Sequence, residues 1–159
     1  MKLSLNREYA ARHLFVAALA AGLSCWFAYD GFVEYPATPA ADLYRSIEKS
    51  DPQPGTDLDA FKLQKTQTQK SFAAVSLAAA LVIALRLLKS AAFRFEYDEN
   101  GFVCGGRRRP YSDIVSKDLG RWGKKGIVSF TTKDGVRTVL DAWHHSGVKE
   151  FAAAHLGAS

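Results

Sequence analysis

Two long apolar blocks interrupt an otherwise polar chain. The first, Leu14–Tyr29, has sixteen residues and no charge, and the second, Phe72–Leu88, carries a single charge, Arg86, within three residues of its end. With its flanking residues the first block approaches the roughly 20 apolar residues that a helix needs to cross a hydrocarbon core of about 30 Å. The pattern predicts transmembrane helices at residues 13–33 and 71–89.

The ends of both blocks suit a membrane surface. Arg86 has a long apolar stem that can carry its guanidinium to the headgroups, and Lys89 and Arg94 follow it. Aromatic side chains settle at headgroup depth, and five of them close the first block: Trp26, Phe27, Tyr29, Phe32 and Tyr35.

Two other interpretations of the apolar blocks stay open. Two buried helices of a soluble core would need more apolar helices around them than the rest of the chain supplies. A cleaved signal peptide would use Lys2, Arg7 and Arg12 as its basic start and the small residues at 37–40 as its cleavage site. Those small residues come about ten positions after the apolar run, which favours an uncleaved anchor.

Charge along the chain predicts the orientation in the membrane. The formal net charge of +5 divides into +2 in residues 1–13, −2 in 30–70, +2 in 71–92 and +3 in 93–159. Cytoplasmic flanks of membrane helices are enriched in Lys and Arg. We therefore expect a multi-pass protein of the inner (plasma) membrane, with residues 1–12 and the C-terminal part in the cytoplasm. Lys62, Lys65 and Lys70, which precede the second block, argue against this orientation.

Residues 34–70 form the predicted extracytoplasmic loop. Thr38-Pro39 has the form of a helix start, with a hydroxyl cap before Pro at the first helical position. A break follows at residues 51–55, and Thr56-Asp57 has the form of a second cap. No Gly or Pro occurs from Asp57 to Leu88. This predicts one continuous helix of about 33 residues that contains the second span.

Small residues recur at four-residue spacing in both spans, which lets helix backbones approach closely in lipid. The pairs are Ala17/Ala21, Ala18/Gly22, Ala20/Ser24, Ala74/Ala78 and Ala80/Ala84. Packing between the two helices of one chain and packing onto a partner are both open.

The pattern changes to that of short strands from Phe93 onward. Phe93, Phe95 and Tyr97 alternate with charged residues, and Asn100-Gly101 is a strong hairpin signal. Residues 105–106 form a further predicted turn. Residues 127–131 and 136–140 read as strands on either side of an Asp-Gly turn, and Ser146 can cap a closing helix. About five strands are expected.

The segment from Arg109-Pro110-Tyr111 to Asp113-Ile114, a Trp-containing hairpin around Trp122, and the closing helix give residues 93–156 a resemblance to bacterial pleckstrin-homology-like (PH-like) domains. Tyr29–Pro36 is similar to the corresponding segment of uncharacterised bacterial two-span proteins with such a domain. The resemblance implies an α+β membrane protein: a two-helix transmembrane hairpin plus a small antiparallel PH-like sheet, or partial barrel, capped by a C-terminal helix. It implies no catalytic site.

Motifs for chemistry are missing from the sequence. There is no nucleotide-binding glycine loop, and the spacing of Cys25 and Cys104 suits neither zinc nor a redox pair. His144 and His145 are adjacent and are expected to be ordinary surface or loop histidines. We expect no catalytic residue, no cofactor, no metal site and no small-molecule substrate.

Six basic residues and one tryptophan form the one candidate contact surface, in two predicted loops: Arg107, Arg108, Arg109, Arg121, Trp122, Lys124 and Lys125. Near a membrane such charges attract anionic headgroups by about 1 kcal/mol each. The alternative is a solvated edge that only enforces topology. A nucleic-acid role needs basic and aromatic residues arrayed on one face, and none is expected.

These observations indicate a non-enzymatic integral membrane protein whose PH-like module binds a partner protein or anionic lipid. The alternative is an accessory subunit of a larger membrane complex, held through its transmembrane helices; a small membrane enzyme is a weaker third. The expected partners are membrane lipids and either another membrane protein or a second copy of the chain.

Overall fold

The computed structural model describes residues 1–158, which divide into two units. The helical unit is Leu14–Leu85. The polar unit combines Met1–His13 with the described residues from Arg86 onward. Both ends of the helical unit therefore continue into the polar unit.

Two helices are long and apolar enough to cross a membrane, and the predicted spans 13–33 and 71–89 lie inside them. The elements are α1 (Arg7–Tyr29), a π-helical turn (Asp30–Glu34) and α2 (Tyr35–Ala37), which together form one helix, then α3 (Ala40–Glu48) and α4 (Leu58–Ala92). The 35 residues of α4 confirm the predicted continuous helix. Its start is capped as expected, since the Asp57 carboxylate accepts a hydrogen bond from the Ala60 backbone N–H at 2.9 Å.

The predicted cap of α3 is wrong by one residue. The helix begins at Ala40, and Pro39 occupies the cap position. Thr38 does not cap α3, because its hydroxyl donates back to the Glu34 carbonyl at 2.8 Å. Leu43 is the buried residue of α3, with 2% of its surface exposed.

Small residues bring the two long helices together inside the helical unit. The Ser24 hydroxyl donates to the Ala73 carbonyl oxygen at 2.9 Å, and Ala73 and Ala80 are buried. At Gly31 a Cβ atom would lie 3.0 Å from the backbone N of Lys70, so a side chain there would force the helices apart. Packing between the two long helices thus uses the small residues just named. The predicted pairs Ala18/Gly22 and Ala74/Ala78 are exposed instead.

Within residues 1–158 the polar unit has eight short strands in three antiparallel sheets, and these do not close into a barrel. The sheets are β1-β8, β2-β3-β4 and β5-β6-β7. The strands are β1 (Ser4–Leu5), β2 (Phe95–Asp98), β3 (Gly101–Cys104), β4 (Arg107–Arg109), β5 (Ile114–Asp118), β6 (Ile127–Thr132), β7 (Arg137–Asp141) and β8 (His145–Ser146). More strands form than expected, because β1, β4 and β8 are too short to show alternation.

The predicted turn glycines shape the first of the larger sheets. Gly105 and Gly106 join β3 to β4 with φ of +60° and +76°, a left-handed pair that favours glycine. Gly101 is needed for space, since a Cβ atom there would lie 2.2 Å from the Arg109 carbonyl oxygen.

Four phenylalanines form the centre of the core in the polar unit: Phe95, Phe102, Phe130 and Phe151, each at most 1% exposed. Phe151 comes from the closing helix α6 (Val148–Phe151), which a π-helical turn (Ala152–Leu156) extends. Ser146 does not cap this helix as predicted. Gly147 occupies the cap position with φ of +91°, and no side chain caps the helix start.

The N-terminal residues are part of this core. Leu3 is 3% exposed, and its backbone N–H donates to the Phe95 carbonyl at 2.9 Å. Leu5 pairs with His145 in the β1-β8 sheet. The stretch expected to be only a charged flank of the first span therefore completes the polar unit, and a fragment starting at Phe93 would lack it.

Candidate functional site: a basic cleft

The predicted basic residues fall into two groups on different elements. Arg107–Arg109 do not form a loop, because they pair with β3 as strand β4, the edge of its sheet. Arg108 donates to both carboxylate oxygens of Asp98 at 2.6 and 2.7 Å, and this hydrogen bonding lowers the pKa of Asp98. Arg108 is thus engaged within its own sheet.

Arg109 is a structural residue. Its side chain is 9% exposed, and it donates to Asp134 at 2.7 Å and to the Cys104 carbonyl at 3.0 Å. The hydrogen bond from Arg109, with a second from the Thr132 hydroxyl, lowers the pKa of Asp134 to about 2. The pair links β4 to the β6–β7 turn.

Replacing Arg109 by Gln is expected to lower the thermal unfolding midpoint, whereas Arg107→Gln, on the exposed start of the same strand, changes it little. Because the folded pKa of Asp134 lies below its ordinary 3.8, the pair contributes stability above pH 3.8 that is lost as the pH falls toward about 2. Unfolding midpoints measured across this pH range should fall less steeply for Arg109→Gln than for the unchanged chain. Parallel pH profiles for the two proteins would contradict this role.

The second basic group lies on one helical turn, α5 (Trp122–Lys125), rather than on a hairpin loop. Arg121 occupies the cap position of α5, and Lys124 and Lys125 are exposed. Trp122 packs against the hydrophobic core and holds the turn in place. Arg121, Lys124 and Lys125 thus stay together and face solvent.

A cleft of about 450 Å³ opens beside this turn in the polar unit. It is bounded by the end of α4, by strands β6 and β7, and by the start of α1. Its lining residues are Tyr9, Arg86, Lys89, Ser90, Phe93, Arg121, Ile127, Val139, Asp141, His144 and His145. We call this space the basic cleft.

The end of α4 supplies one wall. Arg86 lies three positions before Lys89 and four before Ser90, which is the spacing of one helical face, and Phe93 follows just after the helix ends at Ala92. Lys89 lies in the last turn of α4, where the negative end of the helix dipole favours a cation. The wall therefore presents two positive charges beside one aromatic ring.

A buried histidine holds that wall against the strands. His145 is 7% exposed, and its Nε2–H donates to the Ser90 carbonyl oxygen at 3.0 Å. Its ring lies 5.0 Å from the ring of Phe93, measured between centroids. His145 is thus not the surface histidine that the sequence suggested, since it joins β8 to α4.

Tyr9 of α1 also lines the cleft, next to His144 and Trp143 from the segment between β7 and β8. Tyr9 is 3% exposed, and its ring centroid lies 4.4 Å from that of His144 and 6.3 Å from that of Trp143. The Asn6 backbone N–H donates to the His144 carbonyl at 2.9 Å. The N-terminal segment therefore completes the cleft as well as the core.

The charge of the cleft is unbalanced. Arg86, Lys89 and Arg121 have no carboxylate within 4.0 Å among residues 1–158. Asp141 is the one acidic residue in the lining, and it accepts a hydrogen bond from the Trp143 backbone N–H at 2.8 Å. Three cations against one carboxylate make the space attractive to an anion.

Of the seven predicted contact residues, only Arg121 lines the cleft. The sequence pattern indicates only a membrane-topology role for Arg86 and Lys89, although their three-residue spacing already puts them on one helical face. No spacing rule joins Tyr9 or Asp141 to them, because they are distant in sequence.

Comparison of the chain with protein-family models, curated proteins and solved structures finds no match. Among residues 1–158 no group of three or more His, Cys, Asp or Glu side chains is arranged to hold a metal ion.

Proposed function

We propose that the chain is a non-enzymatic, two-span protein of the bacterial inner (plasma) membrane whose polar unit binds anionic lipid. One observation carries the proposal: three cations without ion pairs line a cleft at the end of the second apolar block. Charges at that position lie at headgroup depth once α4 spans a bilayer.

The exposure of apolar side chains supports membrane insertion. Only 11% of the most apolar part of each long helix is buried. Phe15 and Val75 are 69% and 68% exposed, and Leu85 is 64% exposed. Soluble proteins rarely leave such continuous apolar surface in water, whereas a bilayer covers it. Helices of a soluble core would be mostly buried.

The packing of residues 1–13 in the polar unit supports an uncleaved anchor and a two-helix hairpin. Cleavage after Ala40 would remove Leu3 and Tyr9, both of which are buried in the polar unit. Because residues on both sides of the helical unit form the polar unit, two membrane crossings put them on one side. The Lys and Arg flanks favour the cytoplasmic side.

The three lysines that precede the second apolar block, Lys62, Lys65 and Lys70, have local partners in the helical unit. Lys62 donates to the Thr38 carbonyl at 2.7 Å, and Lys65 lies 3.4 Å from a carboxylate oxygen of Glu48. Lys70 lies 4.8 Å from the centre of the Phe32 ring. These contacts give the three lysines a structural role in an extracytoplasmic loop.

An accessory subunit of a membrane complex is the second candidate. Ala18 with Gly22, and Ala74 with Ala78, remain exposed on the long helices. Such small-residue faces allow close contact with another membrane helix. In that case the spans, rather than the polar unit, hold the partner.

Lipid retention by the full chain tests the first proposal. The protein is purified in a neutral detergent, equilibrated with phosphatidylglycerol or phosphatidylcholine in mixed micelles, and weighed by native mass spectrometry. We expect preferential retention of phosphatidylglycerol that weakens as salt rises, because salt screens charges over about 10 Å at 0.1 M. Equal retention of both lipids at every salt concentration would overturn lipid binding. That result would favour a protein partner.

A further inference from the structure

We propose that the basic cleft binds one phosphoglycerol headgroup, a phosphate diester with free hydroxyls, on a membrane lipid. This inference rests on the proposed function and specifies its ligand. It assigns the cations to the phosphate and Asp141 to the hydroxyls.

The phosphate is assigned to Arg86, Lys89 and Arg121. Guanidinium groups present a planar fork of donors that matches two phosphate oxygens, and an ammonium adds a compact charge. None of the three has a carboxylate within 4.0 Å among residues 1–158, so a phosphate does not compete with an internal ion pair. Ser90 lines the same wall.

The carboxylate of Asp141 favours a phosphate diester that carries hydroxyl groups over a phosphate monoester. One of its oxygens accepts from the Trp143 N–H, and the other lies 3.8 Å from the His144 Nε2. A carboxylate in the lining repels a second negative charge on the ligand and accepts hydrogen bonds from hydroxyl groups. A dianionic phosphate monoester is disfavoured there, and a glycerol end group is favoured.

The position of the cleft assigns the ligand to a lipid rather than to a soluble compound. Arg86 belongs to the last residues of the apolar block of α4, so the cleft opens at headgroup depth in a bilayer. Phe93, Ile127 and Val139 supply apolar lining for the glycerol backbone. The volume of about 450 Å³ suits one headgroup.

The cleft is also preformed. The hydrogen bond from His145 to the Ser90 carbonyl fixes the end of α4, and the pairing of Leu5 with His145 fixes β8. A site held in this way orders few side chains on binding, which favours a stoichiometric ligand over a diffuse ion cloud.

Native mass spectrometry of the full chain in neutral detergent tests the inference. Phosphatidylglycerol and phosphatidic acid are the lipid probes, and glycerophosphoglycerol, the headgroup without acyl chains, is the soluble one. We expect one phosphatidylglycerol per chain, and an affinity about a hundredfold lower in Arg86→Gln/Lys89→Gln/Arg121→Gln, which loses three charges. Arg7→Gln/Arg107→Gln/Lys149→Gln removes the same charge from exposed sites outside the lining and should keep the bound lipid.

Asp141→Asn separates the role of the carboxylate from that of the cations. The amide oxygen can still accept from the Trp143 N–H, so the loop is preserved. We expect this variant to bind phosphatidic acid severalfold more tightly than the unchanged chain, with no gain for phosphatidylglycerol.

The outcomes distinguish this inference from the proposed function. Equal losses in the two triple variants would overturn the cleft but leave lipid binding by the basic surface intact. Retention of phosphatidylglycerol and phosphatidic acid by the unchanged chain no stronger than that of neutral phosphatidylcholine would overturn both. Binding of glycerophosphoglycerol as tight as that of the lipid would overturn the lipid assignment. Equal thermal midpoints of the variants serve as the folding control.

Discussion

Replacing Leu3 by alanine is expected to destabilise the polar unit by about 2–5 kcal/mol, the usual cost of truncating a buried leucine. The effect is large for so short a terminal segment, because Leu3 is 3% exposed and lies in the same core cluster as Phe95. Denaturant unfolding of the full chain in neutral detergent, followed by fluorescence, measures the change.

Ser4→Ala is the matched control for Leu3→Ala. Ser4 is exposed and follows Leu3 as the first residue of β1, and its backbone pairing with Ser146 survives the change. Its unfolding midpoint should match that of the unchanged chain. If Leu3→Ala were equally silent, the N-terminal strand would not belong to the polar unit.

The second large effect is expected for Phe95→Ala, at about 3–5 kcal/mol. Phe95 is fully buried, and its ring centroid lies 4.9 Å from that of Phe151 and 5.7 Å from that of Phe102. Truncation leaves a cavity between the β2-β3-β4 sheet and the closing helix α6. Since whole domains are stable by only about 5–15 kcal/mol, this loss is a large share of the stability of the polar unit.

Val115→Ala tests the specificity of that loss. Val115 is 60% exposed on β5, so removing its methyl groups should change the unfolding free energy little. Circular dichroism and denaturant titration measure both variants. A Phe95→Ala protein as stable as Val115→Ala would contradict the aromatic core.

The helices were predictable because their signals are local. The apolar run of α4, its Asp57 cap and its lack of Gly or Pro all lie within one stretch of sequence. The turn at Gly105–Gly106 was predictable for the same reason. Strand β1 was not, because two residues show no alternation and its partner β8 lies about 140 positions away.

The candidate site was harder to predict than the fold. A count of basic residues treats Arg108, Arg109 and Arg121 alike, but the first two are bound to Asp98 and Asp134. Which cations stay without ion pairs depends on tertiary contacts. The cleft also takes Tyr9 from the other end of the chain, and no spacing rule connects it to Arg121.

Membrane topology is the central claim, and cysteine labelling of intact cells tests it most directly. Cys25 and Cys104 are first replaced, and single cysteines are then introduced by Ser4→Cys, Ser50→Cys and Ser112→Cys at exposed positions. We expect a membrane-impermeant maleimide to label the Ser50→Cys protein from outside the cell. The Ser4→Cys and Ser112→Cys proteins should be labelled only after the membrane is permeabilised. Labelling of Ser4→Cys and Ser50→Cys from the same side would contradict the two-span hairpin.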